Sequence, residues 1–242
     1  MVNEEAIKLR DISKLPTDGY VIFPLSMSRI TTAQSPEHCY KMLQYFEKKL
    51  EKVGCDVIFL YTNGLYYNND EPALSVRKKT NQQMLDHKNG ILKLVLKNKK
   101  YVPQAMHFIP WDYLLLNSPD FQEYLRKLKD AYSKDSTFAK LVKESLKDRQ
   151  ETEANVSFLL EELALNQIIR QKLVEFPKTL VRNDKFRLFV YPGTYLKADL
   201  YQWKKKILPQ KQTKEDNTNP YYASQYNSEE KILYNFDNMQ LD

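Results

Sequence analysis

Ser26 and Ser28 stand at the end of a short apolar run, Tyr20-Val-Ile-Phe-Pro-Leu-Ser-Met27. A serine at the corner where a strand gives way to a loop is exposed, and its hydroxyl can attack an acyl group. Serines also cap and turn chains everywhere. Phe158, Glu162 and Leu165 fall at i, i+4 and i+7, on one helix face, within Phe158-Leu-Leu-Glu-Glu-Leu-Ala-Leu165. The surrounding leucines leave little room for two exposed acids, so one of Glu161 and Glu162 is expected to turn inward. Burial raises a carboxylate's pKa and makes it a proton acceptor near neutrality. Tyr191-Pro192 closes another apolar run, where a phenol either relays protons or packs. His107, at the end of a third apolar run, is the one histidine placed to activate a serine. A packed or exposed strand-end histidine explains it better.

Other chemistries are excluded by counts. The five glycines, Gly19, Gly54, Gly64, Gly90 and Gly193, stand too far apart for GxGxxG or a Walker loop. Two cysteines, Cys39 and Cys55, cannot make a zinc site alone. His38, His87 and His107 stand singly, with no HExxH and no acidic cluster, so no metal is expected. No apolar run approaches the roughly 20 residues that span a bilayer, and the opening MVNEEAIKLRD is no signal peptide. The expectation is a soluble cytoplasmic protein without a membrane partner.

The formal charge is +6, from 37 Lys+Arg against 31 Asp+Glu, and it is unevenly spread. Residues 77–100 hold Arg77, Lys78, Lys79, Lys88, Lys93, Lys97, Lys99 and Lys100 against Asp86 alone. A second cluster runs Lys204, Lys205, Lys206, Lys211, Lys214. Clustered charge on one element is the footprint of a polyanion, although a solvated helix face looks the same.

The elements that must position these residues alternate. Strands are expected at 20–27, 56–61, 105–109 and 186–191, the buried apolar runs. Ser35-Pro36 starts a helix, serine as cap and proline in the first turn, and Gly54 ends it. Residues 62–72 are a polar loop. A basic helix covers 73–97, with Asn89-Gly90 as a candidate break. Helices follow from Ser118-Pro119 to Tyr132, at 136–149 and at 152–174. Residues 209–228 are polar and aperiodic, an extended loop, and 231–236 offers an edge strand. The alternation predicts one α/β domain over residues 1–242, built on a mostly parallel sheet flanked by helices. Its site would lie at the strands' carboxyl ends, near 26–31, 61–64 and 191–194.

In this order the pieces resemble the tRNA-dependent cyclodipeptide synthases: a serine after the first strand, a basic helix, a glutamate on a long helix, a strand ending in tyrosine. Trp111 to Phe138 (WDYLLLNSPDFQEYLRKLKDAYSKDSTF) is similar to the family's mid-region, and Ser75-Val-Arg-Lys78 looks like the start of its tRNA-binding helix. The likeness runs from about Val21 to Trp203, and its specificity lies in the joint order. Tyr191-Pro192 resembles the subgroup with Tyr-Pro at the strand end, which lacks the asparagine that the other subgroup carries shortly after the nucleophile.

The resemblance implies a Rossmann-like fold similar to class I aminoacyl-tRNA synthetase catalytic domains. Neither HIGH nor KMSKS is present, which fits amino acids that arrive already activated on tRNA. The implied activity joins two aminoacyl groups into a diketopiperazine through a seryl-enzyme, ping-pong fashion. It takes two aminoacyl-tRNAs per turnover and no cofactor, and the implied state is a monomer. A gapless match through the following helix places the nucleophile on Ser28, the preferred reading; a match on the strand alone places it on Ser26. Glu162 and Tyr191 match the catalytic glutamate and tyrosine. The family usually has tyrosine at Phe158, whose hydroxyl helps hold the substrate's amino group. By resemblance Ile22, Pro24, Phe59, Leu165 and Phe189 line the first side-chain pocket, and Arg77, Lys78, Lys79, Lys88 and Lys93 contact tRNA. Two alternatives stand beside this reading: a synthetase-like tRNA-binding module without chemistry, and a serine acyl hydrolase using His107.

Overall fold

A computed structural model describes residues 19–27, 31–50, 56–64, 73–98, 105–147, 149–171, 186–192, 195–210, 224–227 and 232–235. The strands are β1 (Gly19–Leu25), β2 (Asp56–Tyr61), β3 (Met106–Pro110), β4 (Phe186–Tyr191), β5 (Ser224–Asn227) and β6 (Ile232–Asn235). They form one sheet in the order β3-β2-β1-β4-β5-β6. The first five run parallel, and β6 pairs antiparallel with β5 at the edge. This is the strand order of a Rossmann-like α/β fold, with the switch of direction between β1 and β4.

Helices cover both faces of the sheet. They are α1 (Pro36–Leu50), α2 (Ala73–Lys97), α3 (Trp111–Leu116), α4 (Phe121–Lys134), α5 (Ser136–Leu146), α6 (Glu153–Arg170) and α7 (Lys197–Lys205), with a 3₁₀ turn at Thr32–Gln34 before α1. Alternation along the strands sorts the apolar residues into two layers. Val21, Phe23, Leu25, Val57, Phe59, Tyr61 and Val190 pack under α1 and α2. Ile22, Ile58, Leu60 and Phe189 pack under α3 to α7. Both faces of the sheet are thus covered by buried apolar layers, as a parallel sheet requires.

Several boundaries differ from the sequence reading for local reasons. Helix α2 runs unbroken through Asn89-Gly90. Gly90 is there for closeness: a Cβ built on it would stand 2.6 Å from Pro36 Cγ and 2.8 Å from Pro36 Cβ. Helix α4 begins after Asp120, later than Ser118-Pro119, because α3 and its C-cap occupy the chain as far as Asn117. A six-residue helix is too short to reveal its period in sequence. Helix α5 stops at Leu146, where Lys147 takes a positive φ of 58°. Helix α6 starts at a Thr152 cap that accepts from the Asn155 N–H at 3.2 Å. The stretch 209–228, read as a loop, holds β5, and the edge strand expected near its end is β6. Ser35 caps α1 as expected, accepting from the His38 N–H at 3.2 Å. The stop at Gly54 lies outside the described residues.

One histidine is buried structure on the α1/α2 side. His87 is 2% exposed, and its Nδ1 lies 2.9 Å from Tyr61 Oη. Burial holds its pKa down to about 4. Among the described residues no helix is long and apolar enough to cross a membrane.

Gly90 yields a test. Alanine is normally favoured over glycine inside a helix by about 1 kcal/mol. Here its methyl group must displace the Pro36 ring, and overpacking of this kind costs about 1–3 kcal/mol. Gly90→Ala should therefore lower the urea midpoint, and a midpoint at or above wild type would show that the ring yields freely.

Candidate active site

The site forms at the carboxyl ends of β1 and β4. The end of β1 is pinned from β2: the Leu25 carbonyl accepts from the Thr62 N–H at 3.0 Å and from Thr62 Oγ1 at 3.1 Å. Leu25 and Met27 both pack on the α1 side. Half-buried Ser26 between them turns to the opposite face, the side of α6. Ser28 lies outside the described residues.

Tyr191 faces the same way. Phe189 packs under α6 and Val190 under α1, so Tyr191 returns to the α6 side, where it packs against that layer. Its phenol accepts from Gln34 Nε2 at 3.0 Å. Ile22 pairs with Phe189, so continuing the register sets Tyr191 level with Pro24 and Ser26 two residues farther out.

Glu162 comes from α6, one turn after the buried Phe158. Burial pushes its pKa up to about 7, the nearby Asp199 carboxylate adds to the rise, and Arg149 opposes it. Burial also raises the Tyr191 phenol, and the Glu162 charge raises it further, while the Gln34 hydrogen bond and Arg149 act against both. These two groups therefore lie within electrostatic reach of each other on the α6 side of the sheet. Of the glutamate pair, Glu162 is the one whose charge acts on Tyr191. Glu161, also half-buried, accepts from Ser157 Oγ at 3.3 Å, and its pKa is raised by burial against a weaker pull from Lys129.

Behind Glu162 lies a buried ion pair. Arg170 grips Asp199 with both terminal nitrogens, Nη1 to Oδ1 at 2.9 Å and Nη2 to Oδ2. Asn166 Nδ2 donates to Asp199 Oδ2 at 3.3 Å and Gln202 Nε2 to Oδ1 at 3.1 Å. The guanidinium rests on the Phe189 and Trp203 rings, at 5.4 and 5.8 Å from their centroids. Sequence reasoning missed Gln34, Arg149, Asn166, Arg170 and Asp199. Arg170 carried a signal: it stands two turns beyond Glu162 on a helix whose other residues near it are apolar or neutral. The others carried none.

The expected pocket divides between the two faces. Ile22, Leu165 and Phe189 lie together under α6, and buried Pro24 shares the face of Ile22 by alternation. Phe59 does not join them. It stacks between Phe23 and Phe108, at 5.4 and 5.5 Å, on the α1/α2 side. His107 pairs with Ile58, which pairs with Ile22. That places it two strands, about 10 Å, across from β1 and four residues, about 13 Å, back from Ser26. A Ser26–His107 hydrolase is thereby ruled out. Among the described residues no group of three or more His, Cys, Asp and Glu side chains could hold a metal ion.

The basic helix α2 docks beside this end of the sheet through Asn63. Its Oδ1 accepts from the Trp111 N–H at 3.0 Å, its Nδ2 donates to Asn81 Oδ1 at 2.7 Å, and its carbonyl accepts from Thr80 Oγ1 at 2.8 Å. Lys78, Lys79 and Lys93 are exposed. Arg77 bridges to Asp112 at 3.3 Å, and half-buried Lys88 lies 5.3 Å over the Phe108 ring. The five do not form a single stripe.

Solved structures share this arrangement of strands and helices. One is "a CDPS from Fluoribacter dumoffii", 14% identical, covering 83% of this chain and 88% of its own, with a TM-score of 0.53. Another is "a cyclodipeptide synthase from Bacillus thermoamylovorans", 12% identical, covering 81% and 85%, with a TM-score of 0.51. This chain shares their fold. No family model matches it, and no curated protein matches it in sequence.

The electrostatics of Glu162 make a stability prediction. Below its ordinary value of 4.5 the group is protonated in both the folded and unfolded chain. Between there and about 7 the unfolded chain releases a proton that the folded chain keeps, so stability falls as pH rises. Glu162→Gln removes that loss. Relative to wild type it should gain on the order of 3 kcal/mol between pH 4 and pH 8, read from urea denaturation at both. A pH-independent difference would show that the carboxylate is not strained by burial.

Proposed function

We propose that the chain is a tRNA-dependent cyclodipeptide synthase. The observation that carries this reading is the placement of Tyr191 and Ser26 at neighbouring strand ends on the α6 side, with Glu162 of α6 within electrostatic reach of Tyr191 and half-ionised near neutral pH. The shared fold of the two solved structures supports it. So does the basic helix at the same end of the sheet.

In this reading a serine hydroxyl, Ser28 before Ser26, attacks the ester of one aminoacyl-tRNA and releases the tRNA. Bonding changes at one carbonyl: the serine oxygen joins it, the ribose oxygen leaves and takes up a proton. The α-amino group of the aminoacyl-enzyme then attacks the ester carbonyl of a second aminoacyl-tRNA, forming the peptide bond and releasing the second tRNA, which gives a dipeptidyl-enzyme. Glu162 as carboxylate receives the ammonium's proton and frees the lone pair for attack. In the dipeptidyl-enzyme the free amino group attacks the serine ester, closing the six-membered ring, and Tyr191 passes a proton to the departing serine oxygen. An aminoacyl ester is already an activated donor, so the scheme calls for no ATP, metal or organic cofactor. In this reading Tyr191-Pro192 is the mark of the Tyr-Pro subgroup, and the working form is a cytoplasmic monomer. A second reading, a tRNA-holding module without chemistry, draws on Phe158, which offers no polar atom one turn before Glu162.

Mass spectrometry of medium from bacteria expressing the chain should find a cyclic dipeptide. It should vanish in one of Ser28→Ala and Ser26→Ala and fall by about 10²–10⁴-fold in Glu162→Ala. With purified aminoacyl-tRNA the rate should climb with pH and level off above about 7, as Glu162 ionises. A soluble wild type that makes no product from a full set of aminoacyl-tRNAs favours the non-catalytic module.

Phosphate contacts by α2 have their own signature. Lys78→Ala and Lys79→Ala should each weaken tRNA binding and flatten the plot of log affinity against log salt by about 0.7–0.9. An unchanged slope in filter binding would remove that lysine from the interface.

A further inference from the structure

Gln34 stands out as a buried group that the scheme above does not use. It closes the 3₁₀ turn before α1, with its N–H on the Thr31 carbonyl at 2.9 Å and Ser35 N–H on the Thr32 carbonyl at 3.1 Å. Its side chain is 2% exposed. Nε2 donates to Tyr191 Oη at 3.0 Å. Oε1, the other end of the same amide, is buried and has no hydrogen-bond partner. A buried acceptor left empty is unfavourable, and native proteins rarely keep one that no ligand or water fills. Amide oxygen and nitrogen lie about 2.2 Å apart in a planar amide. Oε1 is therefore within about 5 Å of the phenol oxygen, on the edge of the Tyr191–Glu162 site.

We propose that Gln34 holds the substrate's α-ammonium group through Oε1 while its Nε2 orients the Tyr191 phenol. The inference rests on the synthase reading. An ammonium carries three N–H donors and asks for several acceptors. Glu162 supplies one from α6, and Phe158 on the same helix supplies none. Gln34 contributes another from the far side of Tyr191. Because Nε2 occupies a lone pair of the phenol oxygen, the phenolic hydrogen is not spent on Gln34 and is left to donate toward substrate. The backbone cannot withdraw, being tied into the turn on one side and into the capped start of α1 on the other.

The test compares a whole tRNA pool charged with amino acids, used either with free α-amino groups or after N-acetylation. Enzyme is in excess, and the first acylation of the protein is read by intact mass. Wild type should load free aminoacyl groups at least tenfold faster than acetylated ones. Gln34→Met, close in size but unable to make either bond, should lose most of that preference, with its remaining loading similar for both. Gln34→Glu, which keeps an acceptor, should retain it. Thermal melting beside each assay separates misfolding from lost recognition, and a ratio of two substrates on one protein is insensitive to the folded fraction. Full discrimination in Gln34→Met overturns the assignment of Gln34 alone. A wild type that loads neither pool overturns the synthase reading and this assignment with it.

Discussion

The paired charges of Arg170 and Asp199 hold the site together. Both are buried, so neither has bulk water to fall back on, and the pair survives because every carboxylate lone pair has a donor. Arg170 approaches twice, Asn166 and Gln202 once each. Removing one partner of such a pair costs about 3–5 kcal/mol. The pair also bolts α7 to α6 and presses the guanidinium onto Phe189, and so fixes α6 against β4. Glu162 rides on α6 and Tyr191 ends β4, so their mutual placement follows from this contact. Asp199 also sets the chemistry. A second carboxylate near Glu162 adds to the burial that brings it to half ionisation near neutral pH.

The sheet keeps two kinds of buried titratable group apart. On the α6 face Glu162 destabilises the fold as pH rises from its ordinary 4.5 to about 7. On the α1/α2 face His87 does the reverse: its pKa falls from 6.5 to about 4, so stability is lost as pH falls across that window. The windows overlap and the signs oppose. The two contributions offset each other over a range where each group alone would tilt stability by on the order of 3 kcal/mol. The histidine needs no role in chemistry to explain its place.

Much of this was legible in the amino-acid sequence. Buried parallel strands announce themselves as apolar runs, and all four main strands were found. Glu162 was readable because a carboxylate among leucines at helical spacing has few other uses. Phe59 went to the wrong face for the same reason that its strand was easy to find. A run apolar on both faces carries no alternation, so Asp56-Val-Ile-Phe-Leu-Tyr61 conceals which side each residue serves. Asp199 and Gln34 were invisible because an isolated polar residue in a short helix or turn looks like surface. Only the distant partners, Arg170 and Tyr191, show that each is buried. The strand at 224–227 escaped because its polar residues pair at the fringe of the sheet, where no core dictates a pattern.

Gly90 gives α2 a mechanical property. The helix has 25 residues, and at Gly90 a missing side chain admits the Pro36 ring. The ring opens α1, two residues after Gln34. Arg77 and its neighbours sit thirteen residues away along the axis, a distance of about 20 Å. That end is held as well, by Thr80 and Asn81 on Asn63 and by Arg77 on Asp112. Two fixed points about 15 Å apart along the axis hold α2 against turning about either, so its exposed lysines keep a set distance from the hydrogen bond between Gln34 and Tyr191.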